Sequence, residues 1–229
     1  MIHDFLASQI FLLALTVGSY VLGVAVYRRT RVALLHPVLL SVVALVAILY
    51  GAGIEYEAYA EATGIFSLLL NLSVVALGYL LWEHVDRLRA HALSILTSVV
   101  VGSIVGVGSV VGIVCLMGAD EVIAISLAPK SVTAPIAVAV VEPLGGIKAI
   151  TSVVVICVGI FGSIVAPKIL DFIGVRDPVA RGLAMGSAAH GIGTARAIEI
   201  GAVEGAVSGL AMGLMGGITA IIVPLFPFS

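Results

Sequence analysis

The sequence has few charged residues for its length. Only 10% of its 229 residues are Asp, Glu, Lys or Arg, whereas 61% are hydrophobic, and the mean hydropathy is +1.26. A soluble domain of this size carries about a quarter of its residues as charges. Because so little charge cannot cover a surface in water, lipid is the expected solvent, and we predict an integral membrane protein.

Basic residues and cysteines are also scarce. Eleven basic residues stand against thirteen acidic ones, which excludes the basic footprint of a nucleic-acid-binding protein. Cys115 and Cys157 lie in separate apolar runs, so neither a disulfide framework nor a metal cluster is expected. The sequence offers no nucleophile–base pair either, and we therefore expect no cofactor and no enzymatic activity.

The N-terminus lacks the basic region of a secretory signal peptide. Its first apolar run, residues 5–27, is longer than a signal-peptide core and ends at two arginines without a small-residue cleavage site. We predict that it is a retained membrane span.

Two polar interruptions stand out among the apolar stretches. A helix needs about 20 residues to cross a bilayer. Six uncharged stretches are long enough to do so: 5–27, 32–54, 64–82, 92–119, 149–167 and 205–228. Stretches 121–141 and 182–200 are long enough but carry polar residues, glycine or proline near their centres, so each is predicted to break there. Broken backbone at membrane depth is tolerated only where protein or a wet cavity satisfies its polar groups.

The two interruptions resemble each other. Thr133-Ala134 and Thr194-Ala195 lie 61 residues apart, each before a short apolar arm. Paired breaks of this kind are typical of the inverted repeats of secondary transporters, which bind substrate at the breaks.

Basic residues predict the topology. With an outside N-terminus and both interrupted stretches as re-entrant hairpins, eight of nine basic residues outside the breaks are cytoplasmic, and only Lys148 is outside. If both stretches instead cross as broken helices, six are inside and three outside. The hairpin arrangement agrees better with the rule that basic residues concentrate on the cytoplasmic side. It predicts an all-α membrane protein of about six spans, with scaffold or oligomerisation helices in residues 1–91 and an elevator-like transport core in residues 92–229.

The breaks carry the chemistry of an anion site. Lys130 and Arg196 lie deep in apolar stretches, where a charge must be paired, hydrated or functional. Each precedes or begins a short helical arm, and helix N-termini add unpaired N–H groups and partial positive charge. Hydroxyls of Ser131, Thr133 and Thr194 complete a predicted pocket for a small carboxylate.

Several of these residues have a second interpretation. Arg196 can pair with Glu199 three residues on, and His190 can carry a coupling proton or donate to a carbonyl freed by the break. Asn71 suits interhelical packing as well as ligand contact, and Glu83 suits a solvated helix end as well as coupling. Lys130 and Ser131, adjacent in sequence, are expected on different helical faces.

With these residues in view, the chain resembles the LrgB/CidB family. The resemblance is carried by P-K-S-V-T-A-P-I-A at 129–137, R-G-L-A-M-G at 181–186, A-H-G-I-G-T-A-R-A at 189–197 and E-G-A at 204–206. It extends over nearly the whole chain, more loosely at the start.

The resemblance implies two functions. Bacterial members are described as holin- or antiholin-like regulators of murein hydrolase activity and autolysis, usually beside a small LrgA/CidA-type membrane partner. Plastid relatives resemble glycolate/glycerate transporters, and some bacterial pairs are linked to pyruvate uptake. Paired breaks favour a proton-coupled or exchanging carrier, expected as a homodimer in the cytoplasmic (inner) membrane. The family match assigns Lys130, Ser131, Thr133, His190, Thr194 and Arg196 to the substrate site.

Overall fold

The computed structural model describes residues 8–30, 35–66, 68–69, 72, 79, 82, 86, 89 and 92–228. These residues form helices and connecting turns, with no strand among them. The chain divides into two compact units, residues 1–75 and 76–229. The predicted division into residues 1–91 and 92–229 by function stays a prediction.

The first unit contains three described helices. They are α1 (Gln9–Thr30), α2 (Pro37–Ala52) and α3 (Tyr56–Ala62). α1 and α2 approach closely at Gly23, where an added Cβ would lie 2.9 Å from the Pro37 carbonyl oxygen. Thr16 Oγ1 and Tyr59 OH are 3.0 Å apart and join α1 to α3.

The described residues contain four helices long and apolar enough to span a membrane. A fifth span is possible if α2 and α3, which are bent by 117°, count as one. α2 starts only at Pro37, in the first turn where proline's missing N–H costs nothing, so it is shorter than the predicted span 32–54. Most of the predicted span 64–82 lies outside the described residues, and the count of six spans stays a prediction.

The second unit contains three long helices and two interrupted segments. The long helices are α4 (Ala92–Leu116), α7 (Lys148–Phe172) and α9 (Ala202–Leu225). Ile95 and Val207 share one buried cluster, the Ser103 hydroxyl contacts Met215 sulfur at 2.9 Å, and Val111 shares a cluster with Val223. Each pair is 112 residues apart, so α4 and α9 run parallel.

The first interrupted segment, residues 121–141, is here called hairpin 1. It consists of α5 (Glu121–Leu127), a turn, and α6 (Ala134–Val141). An added Cβ on Gly146 would lie 2.8 Å from Val141 Cβ and 3.0 Å from Ile125 Cγ2. Because Ile125 and Val141 border the same glycine, the chain folds back between them. Ser126 at the end of α5 is also bonded to the start of α7, through the backbone N–H of Ile147 and the hydroxyl of Thr151.

The second interrupted segment, α8 (Pro178–Ile200), is here called hairpin 2. Its helical dihedrals fail at Ala189 and His190. Before this break, Gly182 and Gly186 pack against Glu204 and Ser208, a parallel register with α9.

After the break the register reverses. Thr194 bonds to Ser208, and Gly205 packs against Ile198. The two arms of α8 therefore lie antiparallel to each other, with the tip at Ala189–His190. The predicted breaks in both segments are confirmed, and both segments fold back on themselves.

The two hairpins begin at opposite ends of the long helices. Hairpin 1 follows the end of α4 and leads into the start of α7, whereas hairpin 2 follows the end of α7 and leads into the start of α9. α7 runs antiparallel to the first arm of hairpin 2, since Val155 contacts His190 while Leu170 clusters with Met185. α4 and α7 are therefore antiparallel, and the hairpin tips point toward each other.

Candidate functional site

The tip of hairpin 1 carries a lysine in an irregular turn. α5 ends at Leu127, and α6 begins after the N-cap residue Thr133, with Pro135 in its first turn. Lys130 Nζ donates a hydrogen bond to Ser131 Oγ over 3.0 Å. The expectation that these two side chains lie on different helical faces is wrong, because the turn between α5 and α6 is not helical.

Lys130 has no acidic partner among the described residues. Within that part of the chain no carboxylate oxygen lies within 4.0 Å of its amine. Lys130 is only partly buried, whereas the adjacent Ser131 is 8% exposed and Val132 is fully buried. A cation at this depth needs water, a carbonyl or an anion as a partner. With no described carboxylate beside it, the Lys130 amine is suited to bind a small anion.

The tip of hairpin 2 is held in a strained conformation by a histidine. His190 has φ 40° and ψ −133°, the one positive φ of a non-glycine residue within the described ranges. Its Nε2 lies 2.9 Å from the Val155 carbonyl oxygen. Because a carbonyl only accepts, Nε2 carries the proton. Gly159 permits the approach, since a Cβ there would lie 2.6 Å from His190 Cε1. Strain of this kind persists only where surrounding contacts enforce it.

The hydroxyl of Thr194 is already used inside the protein. Thr194 Oγ1 donates to the His190 carbonyl oxygen over 2.9 Å and lies 2.9 Å from Ser208 Oγ, which then donates to it. Both side chains are buried. Thr194 therefore supports the hairpin 2 tip and links it to α9.

The two tips are connected through shared neighbours on the long helices. Ser131 Oγ lies 4.0 Å from the Cβ position of Gly106 in α4, and Ile136 packs on Gly216 in α9. Val132 belongs to the same buried cluster as Val155 of α7, whose carbonyl accepts from His190. Val155 is thus a common neighbour of both tips, and the sequence-predicted Lys130, Ser131, His190 and Thr194 lie on either side of one region.

One protein-family model matches most of the chain. The model of the LrgB-like family matches residues 16–228. The chain belongs to the LrgB-like family.

Members of the LrgB-like family that resemble this chain cover nearly its full length. "Uncharacterized protein YxaC" of Bacillus subtilis is 33% identical over 216 residues, 94% of each chain. "Holin-like protein CidB" of Staphylococcus epidermidis is 29% identical over 216 residues, again 94% of each. "Antiholin-like protein LrgB" of Bacillus cereus is 31% identical over 212 residues, 92% of each. No solved structure matches the chain.

Arg196 of this LrgB-like protein lies apart from the tip contacts. It forms an ion pair with Glu199, three residues on, and both side chains are largely exposed. No described contact joins Arg196 to Lys130 or Ser131. The geometry therefore favours the second interpretation of Arg196, as the partner of Glu199, although its role in substrate binding stays a prediction.

Exchanging the two charges distinguishes these interpretations. We expect Arg196→Glu and Glu199→Arg each to weaken uptake or to lower the stability by no more than about 1 kcal/mol, since the pair is exposed. The double exchange should restore both, because opposite charges are then paired again. Thermal unfolding in detergent and uptake into vesicles measure the two effects. Substrate contact by Arg196 predicts instead that the double exchange stays inactive while recovering stability.

Two buried hydroxyls near the site were not predicted from the sequence. Ser187 Oγ, three residues before His190, and Thr219 Oγ1 on α9 are buried and have no hydrogen-bond partner within the described chain. Ser208, the partner of Thr194, was also missed. Their small polar side chains are ordinary in packed membrane helices, so only the folded register could single them out. Asn71 and Glu83 lie outside the described residues, and no described group of three His, Cys, Asp or Glu could hold a metal ion.

Proposed function

We propose that this protein is a secondary transporter of small monocarboxylates such as glycolate, glycerate or pyruvate. The observation that carries the proposal is the partly buried Lys130, free of any described carboxylate, on the tip of one hairpin. This tip shares a buried cluster with Val155, which also binds the tip of the second hairpin. A simple pore made of straight helices has no use for two opposed broken segments, whereas carriers bind substrate at such breaks.

The carboxylate would bind between the tips. In this arrangement the Lys130 amine provides the charge, Ser131 orients that amine, and the N–H groups at the start of α6 add donors beyond Thr133. His190 has its Nε2 proton fixed on Val155, so Nδ1 is the atom that would carry a coupling proton. Exchange of one carboxylate for another is the alternative mode.

The membrane arrangement follows from the same proposal. The hairpins would be re-entrant from opposite faces of the cytoplasmic (inner) membrane, with the N-terminus outside and hairpin 2 opening to the cytoplasm. Residues 92–229 would form an elevator-type moving core, and the preceding helices a dimer scaffold. A small LrgA/CidA-type protein is the expected partner. We assign no enzymatic role.

A regulatory function is the second candidate. Two relatives carry the names holin-like and antiholin-like, which favour a role in controlling murein hydrolases and autolysis. Such a protein would form or regulate a membrane pore together with its small partner. It predicts leakage that does not saturate and that does not depend on Lys130.

Transport by purified protein in vesicles separates the two candidates. Labelled pyruvate, glycolate and glycerate are offered to proteoliposomes that hold the chain alone or with an LrgA-like partner, and a trapped dye reports leakage in the same vesicles. Saturable uptake without dye loss supports the carrier. Dye loss without saturable uptake contradicts it and supports the pore.

A further inference from the structure

The exposed surface of hairpin 2 differs from the exposed surfaces of the long helices. α4 and α7 present large apolar side chains outward, among them Val101, Val105, Val153 and Phe161. The second arm of hairpin 2 instead exposes Gly191, Ala195, Arg196 and Glu199, with Ile198 as its single large apolar side chain. The first group suits contact with lipid tails, and the second does not.

The position of the second arm shows why this difference in exposed residues matters. Each arm of hairpin 2 is about ten residues long, or about 15 Å, which is half the ~30 Å hydrocarbon thickness of a bilayer. Ala195 and Arg196 lie about halfway between the tip at His190 and the end of the arm at Ile200. At that depth a charged pair facing lipid is costly, whereas one facing water is not.

Hairpin 1 shows the same pattern from the opposite end. Its second arm, α6, exposes Pro135 and Ala139, followed by Glu142. The first arm of hairpin 2, by contrast, is largely buried, with Gly182, Met185 and Gly186 against its neighbours. Both second arms therefore present small or charged residues outward, and each of them starts at a hairpin tip. The first arm of hairpin 2 exposes Ala180 and Ala188 but no charged residue.

We propose that this face of hairpin 2, formed by Gly191, Ala195, Arg196 and Glu199, lines the water-filled path by which carboxylate reaches the tips from the cytoplasm. The charged Arg196 and Glu199 side chains contact the water in this path. The small residues Gly191 and Ala195 leave space for the carboxylate. The corresponding face of α6 lines the path from the other side. This inference rests on the proposed carrier function and names the route to its site.

Thiol labelling tests the path without requiring transport. In a background with Cys115→Ser and Cys157→Ser, single cysteines are placed as Ala195→Cys, Val153→Cys and Ala197→Cys. Val153 is exposed on α7, five residues from its helix start, as Ala195 is from Ile200, and Ala197 is fully buried. Because α7 starts at the opposite face from hairpin 2, the matched rate for Val153→Cys is the one measured in right-side-out vesicles. A charged, membrane-impermeant methanethiosulfonate is applied to inside-out and right-side-out vesicles, and labelling rates are measured.

The thiolate forms only where water reaches the sulfur. We expect Ala195→Cys to react at least about tenfold faster than both controls, and only in inside-out vesicles. Ala139→Cys is expected to react from the opposite side, and it tests the pattern independently should Ala195→Cys fail to fold. Labelling of Ala195→Cys at the rate of Val153→Cys, or only from outside, overturns the path.

Uptake measured on the same vesicles keeps this result separate from the carrier proposal. Fast labelling without saturable uptake supports the water path and contradicts transport. Saturable uptake with unreactive Ala195→Cys supports transport and contradicts the path. Where both hold, the adduct on Ala195→Cys is expected to block uptake.

Discussion

Replacing Lys130 by alanine is expected to weaken saturable carboxylate uptake at least about 10-fold while the protein still folds and inserts. The amine lies on an irregular turn, bonds only to Ser131 among the described residues, and has no described carboxylate to neutralise it. A hydrogen bond to a charged group contributes about 1.5–3 kcal/mol, which corresponds to a roughly 10- to 100-fold weaker half-saturation for each bond lost. Uptake of labelled substrate over a concentration series measures the effect.

Lys148→Ala is the matched control for this change. It removes the same side chain from an exposed ion pair with Glu142, at the start of α7. Exposed pairs contribute about 0–1 kcal/mol, so uptake and stability should remain near those of the unmodified protein. Ser131→Ala should give an intermediate loss, since the amine stays but its orientation is released. Unchanged uptake in Lys130→Ala would place the anion site elsewhere.

Gly186→Ala is expected to disrupt hairpin 2. An added Cβ at Gly186 would lie 2.2 Å from the Ser208 carbonyl oxygen and 2.8 Å from Ser208 Cα, both backbone atoms of α9. Overpacking typically costs about 1–3 kcal/mol, and the upper end applies here because backbone cannot rotate away as a side chain can. The displaced α9 would also break the bond between Ser208 and Thr194 at the tip.

Gly213→Ala, in the neighbouring helix α9, provides the comparison. No atom lies within 4 Å of the Cβ position of Gly213, and alanine is favoured over glycine inside a helix by roughly 0.5–1 kcal/mol. Thermal unfolding in detergent should therefore show a lower midpoint for Gly186→Ala and an equal or higher one for Gly213→Ala. Equal midpoints for the two variants would contradict the close packing of the first arm of hairpin 2 on α9 at Ser208.

The sequence predicted the breaks well because their cause is local. Proline and glycine act on the residues around them, so the interruptions near Pro129–Pro135 and near Gly191 were visible without any tertiary contact. The start of α8 at Pro178 also has a local cause, since Asp177 accepts the N–H of Ala180 as a helix cap.

Contacts between distant residues could not be predicted in the same way. Two hydrogen bonds depend on how the arms align with α9 and α7. One joins Thr194 to Ser208, and the other joins His190 to Val155. Hydropathy gives no register between helices whose surfaces are almost uniformly apolar. Arg196 shows the same limit, because its sequence position satisfied both interpretations and only its exposed pairing with Glu199 favoured one of them.

The packing of hairpin 1 on α9 has a consequence for biosynthesis. Hairpin 1 contacts α9 through Ile136 and Gly216, so its tip cannot reach its final surroundings until 80 further residues have been made. At synthesis rates of about 5–20 residues per second, that interval lasts roughly 4 to 16 s. During this time the nascent hairpin, with its lysine and its broken backbone, has to be sheltered by the insertion machinery or stay at the membrane surface. A helix made 80 residues after hairpin 1 is therefore the one that completes the surroundings of hairpin 1.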